Sequence, residues 1–366
     1  MIVAFDSDIW SWQEGGGISR YFVELGKRLE ALGHCVDVRA RVHINAWLRE
    51  WKQSNKIYLG DHLRHSRHSL SLKRLLRSLN WTVEGVMARR PDIMHHTAWH
   101  SNRSRRTSTV ITVHDCVWGA YPDAKYAYQA KRIRKVALEA DVVICPTKKT
   151  RRDAIKYIGL PPDKIFVAHH GITQLGTPRS PEIPVGRQIA FVGLRSPAYK
   201  NFAMLLAAVA HLKDVRLCCL GGGRCSERER ALLAELRLEE RVQFKQVRGD
   251  RDLFEGYNTC SALVIPALEE GFGLPMLEAF ALGIPVIASE AEALLEVSAG
   301  AATHVDATSA EALAARIQEV LDDRELHARL ARSGLRRAAD FSWARSAAAH
   351  EVAYHAAIEI FRNNGN

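Results

Sequence analysis

The sequence predicts an α/β fold made of two doubly wound domains. Short apolar runs, typical of buried parallel strands, alternate along the 366-residue chain with longer segments of helical periodicity. Residues 173–187 are rich in Pro, Gly, Ser and Thr, which predicts a linker. We therefore expect a first domain at 1–180 and a second at 181–342, followed by a C-terminal helix at 343–366.

Strand and turn signals outline the first domain. The strands expected there are Met1–Phe5, Cys35–Arg41, Asp92–Thr97 and Thr109–Val113. A glycine turn at Gly15–Gly17 precedes a helix, but it lacks the spacing of a dinucleotide fingerprint. His114 follows the last of these strands, and ligands of open α/β sheets collect at that edge, so His114 is a candidate site residue.

The stretch Glu270–Glu278 contains several candidate ligand-binding residues of the second domain close together. It follows an apolar run that predicts a buried strand, and it leads into a predicted helix. Gly271 and Gly273 allow the backbone to come close to a ligand. The carboxylates of Glu270 and Glu278 can accept paired hydrogen bonds from sugar hydroxyls, so the pattern favours a nucleotide-sugar site.

Two cations follow the first strand of the second domain. Arg195 and Lys200 lie between the strand Ile189–Gly193 and a predicted helix at 201–212. An arginine binds phosphate oxygens in pairs and a lysine acts as a point charge, so the two predict a diphosphate site. A solvent-facing pair is the alternative for these residues taken alone.

Charge is divided unevenly between the two halves of the chain. Residues 1–180 hold 30 Lys and Arg against 16 Asp and Glu, whereas residues 181–366 hold 21 against 25. The basic half favours an anionic partner such as a membrane surface or a phosphorylated acceptor. No recognised nucleic-acid motif accompanies it, so we expect no nucleic-acid partner. A solvated basic surface remains the alternative.

A basic amphipathic segment at 62–79 concentrates this charge. Its basic residues include Arg67, Lys73, Arg74 and Arg77. Such a segment can lie on an anionic membrane surface, or it can be a core-packing helix with a solvated basic face. Both interpretations stay open.

The remaining composition indicates a cytoplasmic protein. No apolar run approaches the roughly 20 residues that a membrane helix needs, and the N-terminus predicts a strand, not a signal peptide. The seven cysteines show no paired metal-ligand spacing and are expected to be reduced. We expect a cytoplasmic location, with peripheral association at the inner face of the membrane.

Residues 270–288 resemble the retaining glycosyltransferases of family 4. The match is the run Glu-Gly-Phe-Gly-Leu-Pro, followed by Glu-Ala and by Gly-x-Pro-Val-Ile-Ala. The resemblance covers nearly the whole chain and is strongest in 188–300. It implies the GT-B arrangement, which is two facing doubly wound Rossmann-like domains with an interdomain cleft. The first domain would bind the acceptor, the second would bind the nucleotide-sugar, and the C-terminal helix would cross back to the first domain. A departure is Glu269, where relatives often carry an aromatic residue.

The resemblance also implies roles for individual residues. Glu270 would contact the donor sugar, Glu278 the ribose, and Lys200 with Arg195 the diphosphate; His114 would lie beside the reacting sugar. The residues implied to contact the donor also include Gly16, Gly17, Gly271, Phe272, Gly273 and Leu274. Arg20 would serve the acceptor. The family works without a metal ion, so we expect no metal and no other cofactor, although Asp6-Ser7-Asp8 has the letters of a metal motif.

The sequence patterns resemble bacterial enzymes that add mannose or rhamnose in surface polysaccharide synthesis. They favour transfer of a hexose from GDP-mannose or a related GDP-sugar to a lipid-linked or oligosaccharide acceptor. A UDP- or TDP-sugar donor is the first alternative. An epimerase on the same architecture and a non-catalytic partner subunit are the others, and the paired carboxylates together with Lys200 and His114 argue against both.

Overall fold

The computed structural model divides the chain into two compact units. Unit 1 comprises Met1–Gly171 and Trp343–Asn366, and unit 2 comprises Ile172–Ser342. The residues described are 1–40, 42–51, 75, 78–80, 90–98, 107–122, 124–180 and 186–364. Each unit is an α/β layer structure built on one parallel sheet, which confirms the predicted fold class.

The sheet of unit 1 has six parallel strands among the described residues. In chain order they are β1 (Ile2–Phe5), β2 (Cys35–Val38), β3 (Ile93–His96), β4 (Ser108–Thr112), β5 (Val142–Cys145) and β6 (Ile165–Val167). Their order across the sheet is β2-β1-β3-β4-β5-β6. The α-helices whose bounds are described up to Gly171 are α1 (Asp8–Trp12), α2 (Gly17–Ala31), α3 (Ala46–Glu50), α4 (Val117–Ala120), α5 (Ala124–Glu139) and α6 (Lys148–Asp153).

Unit 2 repeats this plan with its own six-stranded parallel sheet. Its strands are β7 (Gln188–Val192), β8 (Arg216–Leu220), β9 (Val242–Lys245), β10 (Ala262–Ile265), β11 (Val286–Ser289) and β12 (Thr303–Val305), in the order β12-β11-β10-β7-β8-β9. The helices are α7 (Phe202–His211), α8 (Glu227–Leu236), α9 (Asp250–Asn258), α10 (Leu274–Ala281), α11 (Glu292–Ser298), α12 (Ala310–Asp322) and α13 (Arg324–Ala338). The last helix, α14 (Trp343–Asn363), belongs to unit 1.

Each sheet reverses its strand order once. In unit 1 the chain first adds β2 on one side of β1 and then places β3 on the other side; in unit 2 it adds β8 and β9 beside β7 and then crosses to β10. Such a reversal leaves a crevice at the carboxyl ends of the two strands that flank it, where open α/β sheets bind ligands. The two expected crevices therefore lie at β1/β3 and at β7/β10.

Buried apolar side chains fill both faces of each sheet. In unit 1 the core includes Trp10, Phe22 and Tyr354, and in unit 2 it includes Phe191 and Phe280. None of the helices in the described part of the chain is long and apolar enough to cross a membrane.

A chain of buried hydrogen bonds ties α14 to the sheet of unit 1. The hydroxyl of Tyr354 lies 2.8 Å from Nδ1 of His95, whose Nε2 lies 2.9 Å from Oγ1 of Thr112. Oγ1 of Thr112 lies 2.9 Å from the hydroxyl of Tyr21 on α2. These bonds therefore join α14, β3, β4 and α2 through groups that water does not reach.

His350 lies at the end of this series of hydrogen bonds and determines which atom donates in each of them. Nδ1 of His350 lies 2.7 Å from the carbonyl oxygen of Ser346, which can only accept, and Nε2 lies 2.5 Å from the hydroxyl of Tyr21. Nδ1 therefore donates and Nε2 accepts from Tyr21. Burial lowers the pKa of His350 to about 4 and that of His95 well below its ordinary value, so both rings are neutral.

We predict that acidification destabilises unit 1 through His350. Because the pKa of this imidazole is about 4 in the folded protein and near the ordinary histidine value of 6.5 in the unfolded chain, the unfolded chain binds more protons between those two values. Stability is therefore fully present above about pH 6.5 and falls as the pH drops toward about 4, by up to about 3 kcal/mol for this group. Urea unfolding at a series of pH values measures the loss.

The matched control is His350→Gln, which removes the titrating ring. Its unfolding midpoint should be lower at pH 7.5, and it should fall less steeply on acidification than that of the wild type. Equal pH slopes for the two proteins would contradict the assignment.

Candidate active site

An ion pair spans the strand reversal of unit 2. Lys200 lies in the 3₁₀ turn Ala198–Lys200 that follows β7, and Glu270 follows β10. Nζ of Lys200 donates to Oε1 of Glu270, and their side chains are 21% and 16% exposed. The structure thus brings together two residues that the sequence places 70 positions apart, at the crevice that the topology predicts.

Asn201 holds the lysine turn in place. Its backbone has a left-handed conformation (φ 56°), and Nδ2 donates to the carbonyl oxygens of Pro266 at 3.2 Å and Ala307 at 2.7 Å. The N–H of Leu268 donates to the carbonyl oxygen of Tyr199 at 2.8 Å. The turn is therefore bonded directly to the loop that carries Glu270.

A pocket opens beside this ion pair. Lys200 and Glu270 line it together with Val192 at the end of β7, Pro266 after β10 and Pro275 in the first turn of α10. Apolar walls with a few convergent polar groups are the usual composition of a small-molecule site.

The backbone geometry of the turn before α10 requires a glycine at Gly273. Its φ is +91°, and a Cβ there would lie 2.7 Å from Cδ2 of Leu294. The side chain of Phe272 is in the core, edge-on to Phe341 with 5.9 Å between ring centroids, and Leu274 packs partly buried against the same core. The ring of Phe272 is thus occupied in the core, and only the backbone of this residue is left to contact a ligand at the turn. Gly271 is buried beside it.

Glu278 is a buried carboxylate on α10. The residue is 7% exposed, and its Oε2 lies 3.1 Å from the hydroxyl of Tyr257 on α9. Tyr257 is fully buried, and its hydroxyl also lies 3.2 Å from the carbonyl oxygen of Pro275. Sequence reasoning missed Tyr257, whose only signal was a tyrosine at a core position of an amphipathic helix.

Arg195 lies in a different environment from Lys200. Its side chain is 2% exposed and all three guanidinium nitrogens donate to protein oxygens. Nε donates to Glu229 at 2.6 Å, and the two Nη atoms donate to the carbonyl oxygens of Gly221, Gly223 and Arg224 at 2.7–3.2 Å. The guanidinium also lies over the ring of Phe244, 4.7 Å from its centroid. The structure thus holds the guanidinium of Arg195 at the glycine turn after β8, and its predicted diphosphate contact stays a prediction.

His114 follows β4 in unit 1, as the sequence predicts. Its ring lies edge-on to that of Tyr21, 5.0 Å between centroids, and 5.5 Å from that of His170. Nε2 has no hydrogen-bond partner among the described residues. Burial lowers the pKa of His114 to about 3, so the imidazole is neutral.

The glycine turn of unit 1 begins α2. A Cβ on Gly16 would lie 2.8 Å from Oε1 of Gln13, and Gly17 is the first residue of the helix. The guanidinium of Arg20 lies over the ring of Trp47, 5.3 Å from its centroid. The four basic residues predicted for the membrane or acceptor lie outside the described residues: Arg67, Lys73, Arg74 and Arg77.

Two family models match the chain. The model described as "Glycosyltransferase Family 4" matches residues 15–173, and the model described as "Glycosyl transferases group 1" matches residues 177–337. Together they span most of both units. The chain belongs to the family 4 glycosyltransferases of GT-B architecture. The family resemblance seen in the sequence is confirmed.

Individual relatives agree with this assignment. This glycosyltransferase is 31% identical over 256 residues to a D-inositol 3-phosphate glycosyltransferase of Corynebacterium glutamicum, a match that covers 63% of this chain and 61% of that protein. It is 27% identical over 358 residues to O-antigen chain mannosyltransferase B of Escherichia coli, covering 89% and 92%.

A solved structure shows the same fold. The Anabaena protein HepE in complex with UDP-glucose superposes with a TM-score of 0.71 at 16% identity, covering 96% of this chain and 99% of that one.

We predict that Arg195 and Lys200 of this glycosyltransferase differ sharply in their contribution to stability. Arg195→Gln leaves Glu229 and three carbonyl oxygens without their buried donor, so it should lower the free energy of unfolding by about 3–5 kcal/mol. Lys200→Gln breaks a partly exposed pair and should cost no more than about 1 kcal/mol. Urea unfolding of the two variants measures both changes; equal losses would contradict the structural role of Arg195.

Proposed function

We propose that this glycosyltransferase moves a hexose from a nucleotide diphospho-sugar to an oligosaccharide or lipid-linked acceptor, with retention of the anomeric configuration. The observation that carries the proposal is the Lys200–Glu270 pair at the strand reversal of unit 2. At this place a cation that can bind the diphosphate is hydrogen-bonded to a carboxylate that can bind the sugar hydroxyls.

The charge changes of glycosyl transfer suit this arrangement. When the bond between the anomeric carbon and the diphosphate oxygen breaks, its electron pair stays on the phosphate and positive charge develops on the sugar. Lys200 would stabilise the leaving diphosphate, because a fixed cation acts strongly where negative charge develops. Glu270 would hold the sugar hydroxyls. The acceptor hydroxyl forms the new bond and its proton passes to the leaving phosphate.

Glu278 is assigned to the nucleotide. A buried carboxylate on α10 can accept a pair of hydrogen bonds from the ribose hydroxyls, and Tyr257 keeps its Oε2 in place. His114 is neutral at physiological pH because burial lowers its pKa to about 3, so it would act on the reacting sugar as a hydrogen-bond partner rather than as a cation.

The donor sugar is proposed to be mannose, carried by GDP. Support comes from the resemblance of the sequence motifs to bacterial mannosyl- and rhamnosyltransferases, and from the O-antigen mannosyltransferase of Escherichia coli. A UDP-sugar is the second candidate, favoured by the UDP-glucose complex of HepE. Membrane association of the basic segment at 62–79 stays a prediction from the sequence.

We predict a selective thermal shift with guanine nucleotides. Ligand at 100 times its dissociation constant stabilises a fold by about 2.7 kcal/mol, so GDP-mannose and GDP should raise the melting temperature clearly. UDP-glucose, UDP-N-acetylglucosamine, UDP and TDP-rhamnose should not raise it.

Glu278→Gln should abolish the shift. The control Glu325→Gln, which changes an exposed carboxylate of the same unit, should keep it. A shift with UDP or TDP species would overturn the GDP assignment, and no shift with any nucleotide would overturn donor binding.

We further predict that transfer needs no divalent metal. The proposal rests on Lys200 as the cation for the leaving group, a role that a metal ion fills in other enzymes. Activity should therefore be unchanged after dialysis against EDTA. A loss that Mn²⁺ or Mg²⁺ restores would refute metal-independent catalysis while leaving the donor site intact.

A further inference from the structure

A second polar pair lies at the strand reversal of unit 1. Asp6 directly follows β1, and His96 is the last residue of β3. These are the two strands between which the order of the sheet reverses, so both side chains start from the edge where ligands of such sheets bind. The position corresponds to that of Lys200 and Glu270 in unit 2, although the chemistry differs.

Asp6 is held by a full set of hydrogen bonds. Its Oδ1 accepts from the Thr97 hydroxyl and, at 3.2 Å, from the N–H of Asp8. Its Oδ2 accepts from the Thr97 N–H at 3.3 Å and from Nδ1 of His96 at 3.0 Å. The Thr97 hydroxyl in turn accepts from the N–H of Ile9 at 3.1 Å. The carboxylate is therefore fixed relative to β1, β3 and the start of α1.

His96 is oriented by this carboxylate. Successive residues of a strand face opposite sides of the sheet, so His95 joins the buried chain to α14 while His96 turns to Asp6. Because the Asp6 carboxylate can only accept, Nδ1 of His96 carries the proton that it donates to Oδ2, and Nε2 lies on the other side of the ring. The side chain of His96 is 3% exposed, and among the residues that the structure describes its one hydrogen-bond partner is Asp6, at Nδ1 and not at Nε2.

We propose that His96, positioned by Asp6, binds a hydroxyl group of the sugar acceptor. An imidazole nitrogen with a free lone pair accepts a hydrogen bond from a hydroxyl. The Asp6 carboxylate immediately behind the ring repels anions, so a neutral sugar fits the site better than a phosphate group does. The inference rests on the proposed transfer reaction, in which unit 1 supplies the acceptor, and it adds Asp6 and His96 to the residues that the sequence pointed to.

Binding of simple hexosides to the full chain tests this site. The probes are methyl α-D-mannopyranoside, methyl α-D-glucopyranoside and methyl α-D-galactopyranoside, with mannose 1-phosphate as the anionic comparison, measured by saturation-transfer NMR. At least one hexoside should bind the wild type, and mannose 1-phosphate should bind this site at least tenfold more weakly. His96→Gln and Asp6→Asn should each raise the dissociation constant about tenfold or more.

His34→Gln is the matched control. His34 also pairs with a carboxylate, Glu351 at 2.9 Å, but it precedes β2 at the opposite edge of the same sheet. This variant should bind hexosides as the wild type does. In the wild type, the bound hexoside should shift the imidazole signals of His96 and not those of His34, which tests the site even if a variant is unstable.

The outcomes separate this inference from the proposed function. If nucleotides bind but no hexoside does, or if His96→Gln binds hexosides like the wild type, the acceptor site is refuted and the donor site stands. Tighter binding of mannose 1-phosphate than of every hexoside at His96 also refutes it. If hexoside binding depends on His96 but no nucleotide binds, the site stands and the proposed transfer reaction is refuted.

Discussion

The single reversal of strand order in each sheet is the constraint on which the sites of this protein depend. A parallel sheet brings the carboxyl ends of all its strands to one edge, but only at the reversal do the two following loops run apart and leave a crevice. In unit 2 the reversal lies between β7 and β10, and the Lys200–Glu270 pair spans it. In unit 1 it lies between β1 and β3, and Asp6 and His96 follow those strands.

The side chains at the two crevices suit different kinds of ligand. In unit 2 a lysine faces a carboxylate beside a pocket, which suits a ligand with both phosphate and hydroxyl groups. In unit 1 a carboxylate stands behind a histidine, which suits a hydroxyl alone. A glycosyltransferase needs one ligand of each kind, a charged donor and a hydroxylated acceptor, and the side chains at the two crevices are the reason why we propose the donor site in unit 2.

Much of this arrangement could be predicted from the sequence, because it is encoded locally. The apolar runs predicted β1 to β4 in unit 1 and β7 and β10 in unit 2, and the dense motif around Glu270 and Glu278 identified the family. Lys200 was predicted for the same reason. The ring of Phe272 could not be placed, since a glycine turn leaves open which side of it faces the core; the structure places the ring against Phe341.

What the sequence could not supply are contacts between distant segments. Arg195 lies five residues before Lys200, yet its partners Gly221, Gly223 and Glu229 follow the next strand, so the sequence could not show where its guanidinium is held. Tyr257 meets Glu278 only because α9 packs beside α10. Asp6 and His96 are 90 residues apart, so no local sequence pattern could link them. Likewise, the bonds from α14 to Tyr21 and His95 join residues more than 250 positions apart.

The central claim is that the pair at β7/β10 divides the donor between its two members, Lys200 taking the diphosphate and Glu270 the sugar. The most direct test is calorimetric titration of wild type, Glu270→Gln and Lys200→Gln with the preferred nucleotide-sugar and with its nucleoside diphosphate. We expect Glu270→Gln to weaken binding of the nucleotide-sugar about tenfold or more and to leave binding of the nucleoside diphosphate unchanged, whereas Lys200→Gln should weaken binding of both. Equal weakening of both ligands by Glu270→Gln, or none by Lys200→Gln, would contradict it.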